Sequence, residues 1–76
     1  MTVLMWEVRA AVGRADELLA HVLAHAAPEA AVYRSPADSG ECRVVVLDPT
    51  GAGFDVPSEL LARPAHSWRF EAVPRS

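Results

Sequence analysis

Trp6-Glu7-Val8-Arg9-Ala10, near the start of the chain, is answered near its end by Trp68-Arg69-Phe70-Glu71-Ala72. Both stretches alternate apolar and charged residues with the period of a β-strand. Trp6, Val8 and Ala10 share one face of the first strand, with Glu7 and Arg9 on the other. In the second, Trp68, Phe70 and Ala72 oppose Arg69 and Glu71. The same pattern with the charges exchanged points to neighbouring strands that share an apolar face. Setting Trp6 opposite Ala72 would bring Glu7 against Glu71 and Arg9 against Arg69, an unfavourable cross-strand arrangement. Moving two residues sets Glu7 opposite Arg69, Trp6 opposite Phe70 and Val8 opposite Trp68, and that is the expected register.

Between these ends the apolar spacing alternates between strand and helix. The first strand is expected over residues 2–11. After Gly13 the spacing becomes that of a helix over residues 14–26, with Ala15, Leu18, Leu19, Val22, Leu23 and Ala26 in one stripe. Asp16 and Glu17 in its first turn and His25 in its last suit the helix dipole, and Pro28 stops it. A second strand follows over residues 30–35. Pro36-Ala37-Asp38-Ser39-Gly40 reads as a hairpin connection. The third strand, residues 42–48, holds the unbroken run Val44-Val45-Val46-Leu47, which points to a central strand covered on both faces. A loop over residues 48–55 leads to a short helix at residues 56–62, closed by Arg63-Pro64. The last strand is expected over residues 66–73, with Pro74-Arg75-Ser76 as a tail.

Strand, helix, strand, strand, helix, strand, joined by right-handed crossovers, implies an α+β, ferredoxin-like βαββαβ domain filling residues 1–76. Its four-stranded antiparallel sheet would have the order 4-1-3-2, with two helices on one face. In that arrangement Trp6, Trp68 and Phe70 form the core beneath the helices. Met5 and Tyr33 fall on the reverse face with Val3, Val45 and Leu47, among Glu7, Arg9, Arg43, Arg69 and Glu71.

At 76 residues there is room for one modest core. A chain this size buries only roughly 60–65% of the surface its unfolded form exposes. Small scaffolds commonly add a disulfide, a metal or a partner. Cys42 is the sole cysteine, which excludes an internal disulfide and a multi-cysteine zinc site. Association with a second copy is the remaining device. The net charge of -3, with seven arginines dispersed among carboxylates, argues against nucleic acid. Lysine, isoleucine, asparagine and glutamine are all absent, the mark of a G+C-rich coding sequence and hence of a bacterial source. The apolar start is interrupted by Glu7 and Arg9 and is too short for a signal peptide. No stretch approaches the roughly 20 apolar residues of a membrane span. The expectation is a cytoplasmic, soluble protein with no membrane partner.

Few residues suggest chemistry. Glu17, His21 and His25 share a helix face and are of metal-ligating type. Two histidines four apart without the intervening glutamate of the metalloprotease motif make a weak motif, and a solvated helix flank is the favoured reading. Cys42 and His66 could form a nucleophile and base, but nothing in the spacing brings them together, and an inert thiol is favoured. Asp48-Pro49-Thr50-Gly51-Ala52-Gly53 lacks the lysine and spacing of a phosphate loop and reads as a connection anchored by Phe54. The reverse sheet face remains. Met5, Tyr33, Val45, Leu47 and Arg69 are its ligand or interface candidates, since a fully solvated face has no need of Val45 and Leu47. No catalytic residue and no cofactor are assigned.

Val12-Gly13-Arg14-Ala15-Asp16-Glu17-Leu18-Leu19, followed by Ala31-Val32-Tyr33-Arg34-Ser35, resembles the antibiotic-biosynthesis-monooxygenase-like family. The likeness spans about the first 48 residues. It implies ferredoxin-like subunits that pair through their sheets into a dimeric α+β barrel, some of them cofactor-independent oxygenases. The family's aromatic, glutamate-bearing segment and longer second helix have no counterpart in Asp48-Pro49-Thr50-Gly51, so no catalytic residue carries over. The favoured reading is a non-catalytic binding or accessory module, homodimeric through its sheet face, with a protein or a small apolar ligand as partner. The alternatives are a minimal oxygenase-like protein with an apolar pocket near Met5, Tyr33 and Trp68, and a metal-binding protein using the helix histidines.

Overall fold

Four antiparallel strands and one helix make up the fold in a computed structural model that describes residues 2–75. Met1, and Ser76 at the end of the expected tail, lie outside the described residues. Strand β1 is Thr2–Arg9, helix α1 is Ala15–His25, and strands β2, β3 and β4 are Ala31–Arg34, Arg43–Asp48 and His66–Glu71. The sheet order is β2-β3-β1-β4, which leaves β2 and β4 as the edges. Among the described residues no helix is long and apolar enough to cross a membrane.

Helix α1 forms where the stripe demands it. Its buried side chains, Leu18 and Val22, join Trp6 and Val8 of β1, Val44 and Val46 of β3, and Leu60 in a single core. Asp16 and Glu17 occupy its first turn, and Arg14 bonds Glu17 at 2.8 Å.

The ferredoxin-like βαββαβ expectation fails at the second helix. Only a single 3-10 turn, Ser58–Leu60, stands where residues 56–62 were expected to be helical. Two physical limits explain this. Pro57 has ψ 130°, Leu61 is already extended at ψ 136°, and three residues between them cannot nucleate an α-helix. The segment is also recruited as strand-like backbone. Ala11 N–H donates to the Leu60 carbonyl, Ala62 N–H donates to the Arg9 carbonyl, and Ala10 bridges Leu61.

That clip takes Ala10, which the expected register would set opposite His66, and β4 pairs nearer the start of β1 instead. Trp6 lies opposite Ser67, Met5 opposite Trp68, Leu4 opposite Arg69 and Val3 opposite Phe70. The displacement from the expected pairing is three residues, an odd number, so every side chain of β4 moves to the other face. Trp68 and Phe70 leave the core for the open face, while Arg69 and Glu71 turn to the helix side. Glu7 finds its cations without Arg69: Arg63 reaches it at 2.8 Å and Arg43 at 3.7 Å.

Candidate functional site

The open face of the sheet is built by strand alternation from residues directly opposite one another. Ala31, Leu47, Met5 and Trp68 form one row across all four strands. Tyr33, Val45, Glu7 and His66 form the next. Val3 and Phe70 extend the apolar end, and Arg9 and Arg43 close the other. Tyr33, Trp68 and Phe70 remain 58%, 43% and 51% exposed on this one face. The His66 and Trp68 rings meet edge to face with centroids 5.9 Å apart.

Charge is confined to one margin, where three arginines meet two carboxylates. Glu41 accepts from Arg9 and, at 2.9 Å, from Arg43, while Glu7 accepts from Arg63. The margin therefore presents paired ions beside an apolar field. Of the candidates named from the sequence, Met5, Tyr33, Val45 and Leu47 lie together on this face. Arg69 does not: it stands on the helix side opposite Leu4, with Nη1 3.2 Å from where a Cβ on Gly51 would be. Trp68 and Phe70, expected in the core, are the main additions to the face. Period-two spacing places them together, but only the register says on which side.

The other face carries a separate arrangement around Phe54. Its ring meets Trp6 edge-on with centroids 4.8 Å apart and lies 6.0 Å from both His21 and His25. His21 Nε2–H donates to the Asp55 carbonyl at 2.8 Å, and His25 Nδ1–H donates to the His21 carbonyl at 2.9 Å. The two imidazoles stack with centroids 4.1 Å apart and planes 21° apart. A metal binds in the plane of each imidazole, and near-parallel stacked planes do not converge on one point. Glu17 is turned to Arg14. Among the described residues no three His, Cys, Asp or Glu side chains gather to hold a metal.

Asp48, the buried charged residue, anchors the Gly-rich loop. Its carboxylate accepts the Thr50 N–H at 2.8 Å, the Thr50 hydroxyl at 2.5 Å and the Gly53 N–H at 3.3 Å. The Thr50 hydroxyl bond outweighs burial and holds the carboxyl below its ordinary pKa. With its amides turned onto Asp48, the loop is no phosphate cradle. Cys42 ends up before β3 and His66 opens β4, with β1 between them.

A cavity of about 340 Å³ opens beside Phe54, lined by Leu4, Trp6, Val56, Leu61 and Ser67 among others. It lies on the helix side of the sheet, not near Met5, Tyr33 and Trp68. Compared with protein-family models, curated proteins and solved structures, the chain has no significant match.

Proposed function

We propose that this chain is a non-catalytic binding or accessory module that forms a homodimer through the open face of its sheet, in a bacterial cytoplasm. The observation that carries the reading is the grouping of Tyr33, Trp68 and Phe70, each more than two-fifths exposed, with Val3, Met5, Val45 and Leu47. Contiguous exposed apolar surface on a soluble chain marks an interaction site. The composition also fits: aromatic residues, Met and Arg are the types enriched where proteins meet. Two such faces packed about 10 Å apart would interdigitate as the layers of a β-sandwich do. The resemblance over the first half of the chain points to the same mode of pairing.

Sedimentation velocity at tens of micromolar tests this. The expected species is a dimer, reduced to monomer by Trp68→Glu or Met5→Asp with the far-ultraviolet circular dichroism retained. A wild-type chain that sediments as a monomer throughout that range rejects the proposal.

A further inference from the structure

β4 is an edge strand, and the chain leaves it unfinished. All six of its residues are exposed, and none joins the core under α1. The usual defences of an exposed edge are a proline, a lysine, a bulge or a very short length. From His66 to Val73 there is no proline, glycine or lysine. The pairing with β1 runs from His66 to Glu71 without a bulge. β2, at the other edge, is only four residues long and is soon followed by Pro36.

The charges of β4 find no match on β1. Arg69 lies opposite Leu4 and Glu71 opposite Thr2, and among the described residues neither makes an ion pair. They stand two positions apart on one side of the strand, with opposite signs. Trp68-Arg69-Phe70-Glu71-Ala72 is therefore its own complement when read antiparallel. Centred on Phe70, a second copy of β4 sets Arg69 opposite Glu71 of that copy, and Glu71 opposite its Arg69. Phe70 then meets Phe70, and Trp68 meets Ala72, on the open face. Centring one residue to either side brings Arg69 against Arg69 or Glu71 against Glu71, and like charges directly opposite are unfavourable. Beyond Val73 the pairing stops, because Pro74 has no N–H to donate.

We propose that the β4 edge pairs antiparallel with the β4 edge of a second copy about a two-fold axis at Phe70, joining two four-stranded sheets into one of eight. Such an interface is isologous, so the Arg69–Glu71 pair occurs twice. It lies in the plane of the sheet, whereas the face-to-face contact of the proposed dimer lies across it, and neither rests on the other. Edge pairing adds backbone hydrogen bonds, two exposed ion pairs and one aromatic pair but buries little side-chain area. It therefore belongs at a dissociation constant on the order of hundreds of micromolar, above the range in which the face contact is tested.

Charge reversal tests the register. Sedimentation equilibrium is measured up to about 1 mM on Met5→Asp, which removes the face contact and leaves β4 intact. If that variant does not fold, the wild-type chain serves, and edge pairing is read as association beyond the species present at tens of micromolar. The expected result is a monomer–dimer equilibrium. Arg69→Glu or Glu71→Arg alone sets like charges opposite each other twice, and each should weaken the pairing about tenfold at low salt. The double reversal restores both pairs with the signs exchanged and should recover the parent affinity. Neither residue faces a charge on β1, so the thermal melts should match the parent's. In ¹⁵N spectra, rising concentration should move the β4 amides and leave those of β2 in place. Absence of association up to about 1 mM overturns the proposal. So does association that single reversals leave unchanged, or that the double reversal does not restore. A wild-type chain that is monomeric at tens of micromolar, yet shows the reversal pattern when concentrated, keeps the edge contact and rejects the face dimer. A dimer at tens of micromolar with no response to reversal does the opposite.

Discussion

The two tryptophans stand on adjacent strands and on opposite faces of one sheet, and their surroundings differ in every respect. Trp6 is sealed under α1 and the Phe54 loop, whereas Trp68 lies 43% exposed on an edge strand whose every residue is exposed. The carboxylates repeat the contrast. Asp48 on the covered face is held by short-range bonds within its own loop, while Glu7 on the open face is held by arginines from other segments. One face is finished by the chain itself. The other carries an apolar field that no described segment covers, and that asymmetry makes the open face the place to look for a partner.

Four substitutions would break or sharpen the contrast, in descending order of effect. Trp6→Ala should cost about 3–5 kcal/mol, as for a large buried side chain. That is enough to unfold a marginal domain, and denaturant melts would register it. Asp48→Ala should cost about 1–3 kcal/mol by leaving the Thr50 and Gly53 donors without their acceptor. Asp48 also gives a pH signature. Its folded-state pKa is lowered, so its contribution is complete above the ordinary carboxylate pKa and is lost as pH falls through the lowered value. The stability gap between wild type and Asp48→Ala should therefore narrow on acidification.

On the open face, Trp68→Ala should cost the monomer only about 0.2–1 kcal/mol, the worth of a cross-strand pair, while weakening self-association markedly. A loss as large as that of Trp6→Ala would show that both faces serve the fold alike. Glu7→Gln should change stability by about 0.2–1 kcal/mol, and less in high salt, because its arginines are partly exposed. Equal melts at low and high salt would argue against a charged contribution at that margin.

Helix α1 was legible in the sequence to within one residue at each end. Its stripe, its acidic first turn and the proline beyond it are local signals that agree. The central apolar strand was legible for the same reason, since Val44-Val45-Val46-Leu47 can satisfy itself only inside a sheet. The segment before Arg63-Pro64 departs from its expected helix. Its apolar residues fit a helical turn, but Pro57 and the backbone bonds to β1 claim them first. Of the open face, Met5, Tyr33, Val45 and Leu47 could be named from alternation alone, whereas the expected register puts Trp68 and Phe70 in the core, the wrong face.

The sequence by itself determined the strand pattern, the first helix and the pairing of Trp68 with Phe70 on a common face, because each depends on residues a few positions apart. Tertiary structure alone decided which face that was. A strand's period of two is blind to side, and the choice is made by the register of β4 on β1. It also decided that Asp48 is buried and that His21 fastens the Asp55 loop. Burial of Asp48 and the His21–Asp55 bond both depend on segments far apart in the chain coming together, and no local pattern records such a meeting.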